Sequence, residues 1–141
     1  MNMIMKKEKV IAAYQILKGA DMKKVERFED KRKVIGLLRK MRPVAEEYDS
    51  TMETAREKLK PDGYEETQSR LAQDGATQAD LLKANILKEK YSMELGKVAK
   101  GMLAEEADID CRMDDELLEK LCESNPEWKA EQILLLSDLT E

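Results

Sequence analysis

Residues that could carry out chemistry are few and scattered in this sequence. It contains no histidine, which removes the commonest general base and a major metal ligand. It also lacks a glycine-rich phosphate loop, a nucleophile elbow and a Cys-x-x-Cys pair. Cys111 and Cys122 each stand alone, a pattern typical of reduced, packed thiols. These features predict a protein that is not an enzyme and holds no cofactor.

Carboxylates are dense near residue 110 and are, beside the two cysteines, candidate metal ligands. The acids in this segment are Glu105, Glu106, Asp108, Asp110, Asp114 and Asp115. A calcium loop alternates its ligands and needs a glycine at its sharp turn. After Asp108 and Asp110 the next alternate position is Arg112, and no glycine follows it. The pattern therefore favours a solvated acidic face, and no metal site is predicted.

The strongest candidate for ligand binding is the basic segment "KKVERFEDKRKVIGLLRKMR", residues 23–42. Exposed, mobile cations are what phosphate contact requires. The candidate polyanion contacts are Lys24, Arg27, Lys31, Arg32, Arg39 and Arg42. Three acids interrupt the run, only Phe28 could stack on a base, and the whole chain has a net charge of -5. A regulatory nucleic-acid-binding protein is therefore the alternative function, and nucleic acid is the disfavoured partner.

Charge is divided unevenly along the chain. Residues 1–60 carry 16 basic and 10 acidic side chains, a balance of +6, whereas residues 61–141 carry 9 and 20, a balance of -11. A division of this kind can mean a nucleic-acid face, a head-to-tail self-contact or an attraction between two halves of one fold. Ordinary solvated surface charge is the fourth reading, and the sequence favours it.

The elements that would position these residues are mainly helices, and the first long one passes through a proline. A heptad seam with alternating spacings of four and three predicts one helix from about residue 30 to 60. The seam is formed by Val34, Leu38, Met41, Ala45, Tyr48, Met52, Ala55 and Leu59. Pro43 lies far from it, where water can replace the hydrogen bond to the carbonyl of Arg39. We therefore expect a continuous helix with a bend at Pro43.

A second long helix is predicted from residue 78 to 103. Thr77 and Asp80 resemble a capping box, and apolar residues then recur at helical spacing from Leu81 to Met102. A weaker helical stretch, residues 64–73, lies between the two long helices. Two long seamed helices joined by roughly 16 residues favour an antiparallel hairpin. The seam of the first helix is a candidate interaction seam, and two readings stay open: burial within this chain, or contact with a second copy.

The two ends of the sequence predict smaller elements. Residues 6–20 read as a short helix that stops at Gly19, and "EADIDCRM" alternates like a strand. Its only candidate partner is "MNMIM" at the start, which predicts a two-stranded ribbon. A helix over "DDELLEKLCES" follows. Asn125 is then the predicted N-cap of a last helix, with Pro126 at its first position and "EWKAEQILLLSDL" following.

Composition completes the expected class of protein. Apolar residues make up 42% and charged residues 39% of the 141 positions, which favours one exposed, helix-rich domain spanning residues 1–141. The longest apolar run, residues 10–14, is too short to span a membrane, so a cytoplasmic location is expected. The fold class is therefore mainly α: a long bent hairpin, short terminal helices and a small β ribbon. The expected function is protein–protein interaction, with self-association through a remaining apolar strip.

The order of these features resembles small uncharacterised helical proteins from the structural gene clusters of tailed phages and prophages. The resemblance rests on "KVIAAYQILKGA", on the proline-containing helix "LLRKMRPVAEEYD", and on the closing segments "DIDCRMDDELLEKL" and "EQILLLSDL". It covers most of the chain apart from residues 61–76. The resemblance implies an accessory role in particle assembly, and it implies no catalytic or binding residue.

Overall fold

The computed structural model describes residues 3–109 and 112–140, and it confirms a mainly α fold with a small β ribbon. In the described ranges the elements are, in chain order, β1 (Met3–Lys6), α1 (Lys7–Lys18), α2 (Phe28–Lys58), α3 (Tyr64–Leu71), α4 (Gln78–Leu103), β2 (Glu106–Ile109), α5 (Asp115–Ser124) and α6 (Ala130–Ser137). None of the helices in these ranges combines the length and the apolar character that crossing a membrane requires.

The chain divides into two compact units. Unit 1 comprises residues 1–47 and 103–141, and unit 2 comprises residues 48–102. The sequence predicted a single domain over residues 1–141, and this remains a prediction. Each unit has its own buried residues and is described separately below.

In unit 1 a strand near the start of the chain pairs with residues 106–109 in the predicted ribbon. Strands β1 and β2 pair antiparallel, with Met3 opposite Ile109 and Met5 opposite Ala107. Alternation puts Met5 and Ile109 on the buried face, while Ile4 stays exposed. The predicted strand extended to about residue 112; β2 ends at Ile109, and Asp110 and Cys111 lie outside the described residues.

The core of unit 1 forms where the ribbon, α1, α5, α6 and the first half of α2 come together. Its fully buried side chains are aliphatic or methionine, with Tyr14 as the one buried aromatic ring in the described core. The largest of them are Met41, Met113, Leu117, Leu121, Leu136 and Leu139. Burial of this apolar surface is the main stabilising term for the unit.

Helix α2 is continuous through Pro43, as the seam predicted. It spans 31 residues, about 45 Å at 1.5 Å per residue. Pro43 is exposed, so water can hydrogen-bond to the carbonyl of Arg39, which receives no bond from the proline nitrogen. The predicted bend at this position stays a prediction.

Helix α5 begins at a well-formed cap. Asp114 precedes it in extended conformation, and its Oδ1 accepts a hydrogen bond of 2.8 Å from the backbone N–H of Leu117. Lys33 of α2 lies 3.0 Å from the other carboxylate oxygen. The cap bond first, and then Lys33, lower the pKa of Asp114 below its ordinary value.

We expect Asp114→Ala to destabilise unit 1 by about 1 kcal/mol, because the cap bond is lost. The exposed ion pair with Lys33 contributes little to this figure. Since the folded-state pKa is lowered, the stabilisation is present above the ordinary carboxyl pKa and is lost as pH falls through the folded value. Urea unfolding at a series of pH values measures this dependence. Asp114→Asn is the control, since asparagine caps equally well without titrating; a pH dependence unchanged in Asp114→Asn would contradict the assignment.

The prediction for the last helix is wrong at its start. Asn125 is the C-cap of α5, which ends at Ser124, and it is not the N-cap of the next helix, since α6 begins only at Ala130. The side chain of Asn125 hydrogen-bonds to the backbone of Asp21 and Leu121, so it cannot cap α6. Instead the side chain of Gln132 accepts a 2.8 Å hydrogen bond from the backbone N–H of Lys129 at the new start.

Unit 2 contains the second half of α2, then α3 and nearly all of α4. The predicted capping box is confirmed: the N–H of Thr77 donates to Oδ2 of Asp80 (2.9 Å), and the N–H of Asp80 donates to Oγ1 of Thr77 (3.2 Å). Tyr91 links the three helices, because its hydroxyl donates to the carbonyl of Arg56 (2.6 Å) and its ring meets Tyr64 edge to face (4.9 Å). Few side chains in this unit are buried: Met52, Ala55 and Ala84.

Candidate interaction surfaces

The seam of α2 lies largely inside the chain itself. Val34, Met41 and Ala45 belong to the core of unit 1, and Met52 and Ala55 are buried in unit 2. Leu38, Tyr48 and Leu59 are half-buried. Five of the eight predicted residues thus serve internal packing, which supports the first of the two readings. Contact with another chain through the seam stays a prediction.

Leu37, which the heptad pattern left out, is more buried than the predicted Leu38. Its exposed fraction is 3%, whereas Leu38 is half-buried and packs at the edge of the core. Val34, Leu37 and Met41 are three and four residues apart, so they share one face of α2, and this face is buried in the core of unit 1. The predicted seam placed that face one residue further along, at Leu38.

Helix α4 carries a second apolar stripe that the sequence reading missed. Leu82, Ile86 and Met93 are 63%, 58% and 61% exposed. At 3.6 residues per turn they project within about 40° of one another. They point about 170° away from Ala84 and Tyr91, the side of α4 that is covered within unit 2. We call these three residues the outer stripe of α4. Their spacing of four and seven was the signal available in the sequence.

The basic segment forms an exposed face on the first half of α2. Lys31, Arg32, Arg39 and Arg42 project within an arc of about 100° that also contains Phe28 and Ile35. Phe28 is 73% exposed, and the guanidinium of Arg32 lies 6.0 Å from the centre of its ring. We call these six residues the basic face of α2. It brings together four of the six predicted polyanion contacts.

The remaining two polyanion candidates lie before α2 and are not on this face. The backbone N–H of Lys24 donates to Oγ of Ser124 (2.8 Å), which holds its segment against α5, and Arg27 pairs with Glu29 at 2.9 Å. Asp30, which appeared to interrupt the basic run, is buried and lies 3.3 Å from Nζ of Lys120. It therefore leaves the basic face free of its charge.

The acidic residues near residue 110 are distributed among structural roles. Glu105 lies 2.7 Å from Nζ of Lys7, and this hydrogen bond raises the pKa of Lys7. Asp114 caps α5, while Glu106, Asp108 and Asp115 are exposed. Within residues 3–109 and 112–140, no three His, Cys, Asp or Glu side chains are grouped as a metal site would require.

The described cysteine shows no sign of activation. Cys122 is half-buried in α5, and burial raises the pKa of its thiol. A raised thiol pKa lowers the fraction of reactive thiolate. Cys111 lies outside the described residues.

Comparison with known proteins finds no matching family, no matching curated protein and no matching solved structure. Among the described residues, the outer stripe of α4 groups exposed apolar side chains and the basic face of α2 groups exposed cations.

Proposed function

We propose that this protein is a non-enzymatic protein–protein interaction module that binds another chain through the outer stripe of α4. The observation that carries the proposal is the exposure of Leu82, Ile86 and Met93 on one side of the helix. Single exposed apolar residues are common, but a row on one helix face is the pattern that helix-in-groove and helix-pair contacts use. Fully burying side chains of this kind contributes about 1.5–3 kcal/mol each.

The architecture of unit 2 supports the same proposal. Ala84 is buried and Leu87, Leu95 and Val98 are half-buried on the inner side of α4, whereas the outer stripe is exposed. A 26-residue helix with an apolar row on each of two opposite sides can pack on its unit with one row and on a partner with the other. We therefore assign the inner row to folding and the outer stripe to binding.

The test is recovery of a partner by an affinity-tagged chain, expressed beside a second copy that bears a different tag. The wild-type chain is expected to retain one defined protein, and Ile86→Glu is expected to lose it, because the glutamate would be desolvated at the contact. Ser92→Glu is the matched control, since Ser92 is exposed on α4 about 100° away from the outer stripe. Equal recovery by all three chains would contradict the proposal. The second tag reports self-association, which stays a prediction.

We propose that the protein is encoded by a phage or prophage and acts in the cytoplasm of the host cell, where it would assist particle assembly. Support comes from the ordered resemblance to small proteins of phage structural gene clusters. Capsid and tail genes on either side of this coding sequence are the expected finding. A gene neighbourhood without any virion genes would contradict this setting and leave the interaction proposal standing.

Nucleic-acid binding by the basic face of α2 is the second candidate. It is favoured by the grouping of four cations with an exposed aromatic ring, which suits contact with phosphates and bases. The test is titration of labelled DNA and RNA from low to moderate salt, with Arg32→Glu/Arg39→Glu as the disrupted variant. Steep loss of affinity with salt in the wild type, and its absence in the variant, would favour this candidate. Absence of binding at low salt would end it.

A further inference from the structure

Three lysines follow the outer stripe of α4 along one flank. Lys83, Lys90 and Lys97 are seven residues apart and all exposed. They project within about 40° of one another and about 60° from the centre of the outer stripe. Within the described part of the chain, no ion pair engages any of the three. We call them the lysine flank.

The lysine flank is unusual for its place in the chain. Residues 61–141 carry 9 basic and 20 acidic side chains, yet α4 itself, residues 78–103, carries 5 and 3. The rest of that half therefore carries 4 and 17, by subtraction. The basic residues of the acidic half are concentrated on the helix that also exposes an apolar stripe. Charges at such flanking positions set partner choice in helix pairs.

From this arrangement we infer that the partner of α4 is an amphipathic helix whose apolar row is flanked by carboxylates. The inference rests on the proposed function and names the chemistry of the partner at that same surface. Leu82, Ile86 and Met93 would pack against the partner's apolar row. Glutamate or aspartate side chains beside that row would pair with the lysine flank, at the edge of the contact where both stay partly solvated.

A second copy of α4 fits this surface poorly. In an antiparallel pair related by a two-fold axis, equivalent flanks face each other, which sets lysine flank against lysine flank. In a parallel pair, each flank faces the opposite flank of the mate, and the flank opposite the lysines carries one acid, Glu89, about 40° from the centre of the outer stripe. The antiparallel pair therefore opposes like charges, which is unfavourable at helix contacts, and the parallel pair offers one carboxylate for three lysines. A helix from another protein with carboxylates along its flank pairs with all three lysines.

The test uses two synthetic helical peptides that share one leucine heptad row and differ only at the flanking positions. One peptide carries glutamate at these positions and the other carries lysine. Binding to the full chain is measured by fluorescence anisotropy. The wild-type chain is expected to bind the acidic peptide at least about tenfold more tightly than the basic one. Lys83→Glu/Lys90→Glu/Lys97→Glu should reverse that preference.

A matched control reverses the same number of charges on another helix, α2. Lys31→Glu/Arg32→Glu/Arg39→Glu changes the basic face of α2 and should keep the preference for the acidic peptide. All six positions are exposed, and circular dichroism verifies that each variant keeps its helix content. If this control reversed the preference as the α4 variant is expected to do, the acidic helix would belong on α2 and the inference would be overturned.

The remaining outcomes separate the inference from the proposed function. Equal affinity for both peptides, lost in Ile86→Glu, would overturn the acidic partner while leaving protein binding by the outer stripe in place. Failure of the wild-type chain to bind either peptide would also overturn the acidic partner. If the chain self-associates and Ile86→Glu abolishes this self-association, the partner of α4 is a second copy of the chain and the acidic partner is overturned. Failure of the proposed function itself would appear instead as no partner recovered by the tagged chain.

Discussion

Leu37→Ala is expected to lower the free energy of unfolding of unit 1 by about 2–5 kcal/mol. Leu37 is 3% exposed and belongs to the core, so the substitution removes buried methyl groups and leaves a cavity. The measurement is urea unfolding followed by fluorescence of Trp128. This is the one tryptophan of the sequence and packs at the edge of the same core, so the signal reports on unit 1.

The neighbouring leucine provides the matched control. Leu38 has the same side chain on the same helix but is half-buried, so Leu38→Ala should cost about 1 kcal/mol. The difference between the two variants isolates burial from leucine's contribution to helix propensity, which is the same at both positions. If Leu38→Ala were the more damaging of the two, α2 would be rotated relative to the arrangement described here.

Asn125→Ala is expected to cost about 2–4 kcal/mol, a large effect for a polar residue. Asn125 is 2% exposed, and its side chain makes three hydrogen bonds of 2.8 Å each. Its Oδ1 accepts from the N–H of Asp21, and its Nδ2 donates to the carbonyls of Asp21 and Leu121. Alanine would leave these backbone groups without their partner in a place where water has little access.

The adjacent Ser124 also holds the segment before α2 against α5, and we call Ser124 and Asn125 together the clamp on that segment. Its hydroxyl accepts from the N–H of Lys24 and donates to the carbonyl of Lys120, both at 2.8 Å. The control for Asn125→Ala is Asn85→Ala, an exposed position in α4 where the same substitution should cost nothing measurable. Thermal unfolding of both variants compares them. Equal stability of Asn125→Ala and the wild type would show that the clamp does not hold the loop.

Much of the fold could be predicted because local signals agreed with one another. The phase of the apolar pattern on either side of Pro43 was unbroken, so one helix was the simpler prediction, and α2 is one helix. Thr77 and Asp80 marked the start of α4 through a local capping interaction that needs no tertiary context. The alternation in "EADIDCRM" required a partner strand, and only the first residues of the chain could supply it.

The predictions that differ from the structure share another cause. In each of them the role of a residue depends on the elements that surround it in the fold. Asn125 resembled an N-cap in sequence, but its amide is positioned to bind Asp21, a residue 104 positions away. Leu37 and Leu38 project about 100° apart on α2, and which of the two faces the core depends on the elements of unit 1 that pack around the helix. The predicted apolar row of α4, which contains Ala84 and Tyr91, faces inward, and the outer stripe lies on the opposite side of the helix.

The candidate site was therefore only partly predictable. Four cations of the basic face of α2 were named from the sequence, and their helical spacing brought them to one side. The lysine flank and the outer stripe became visible only when the exposed side of α4 was known. Whether a surface is free depends on packing within the chain, and spacing alone does not determine that.

The central claim is that the outer stripe of α4 contacts another protein. Its most direct test places a photoreactive benzoylphenylalanine at position 86, with position 92 as the control on the same helix, in cells that produce the full chain. The account predicts a protein cross-link at position 86 that is absent at position 92, and that maps on the partner to a helix rich in acidic residues. Equal cross-linking at the two positions, or none at position 86, would contradict it.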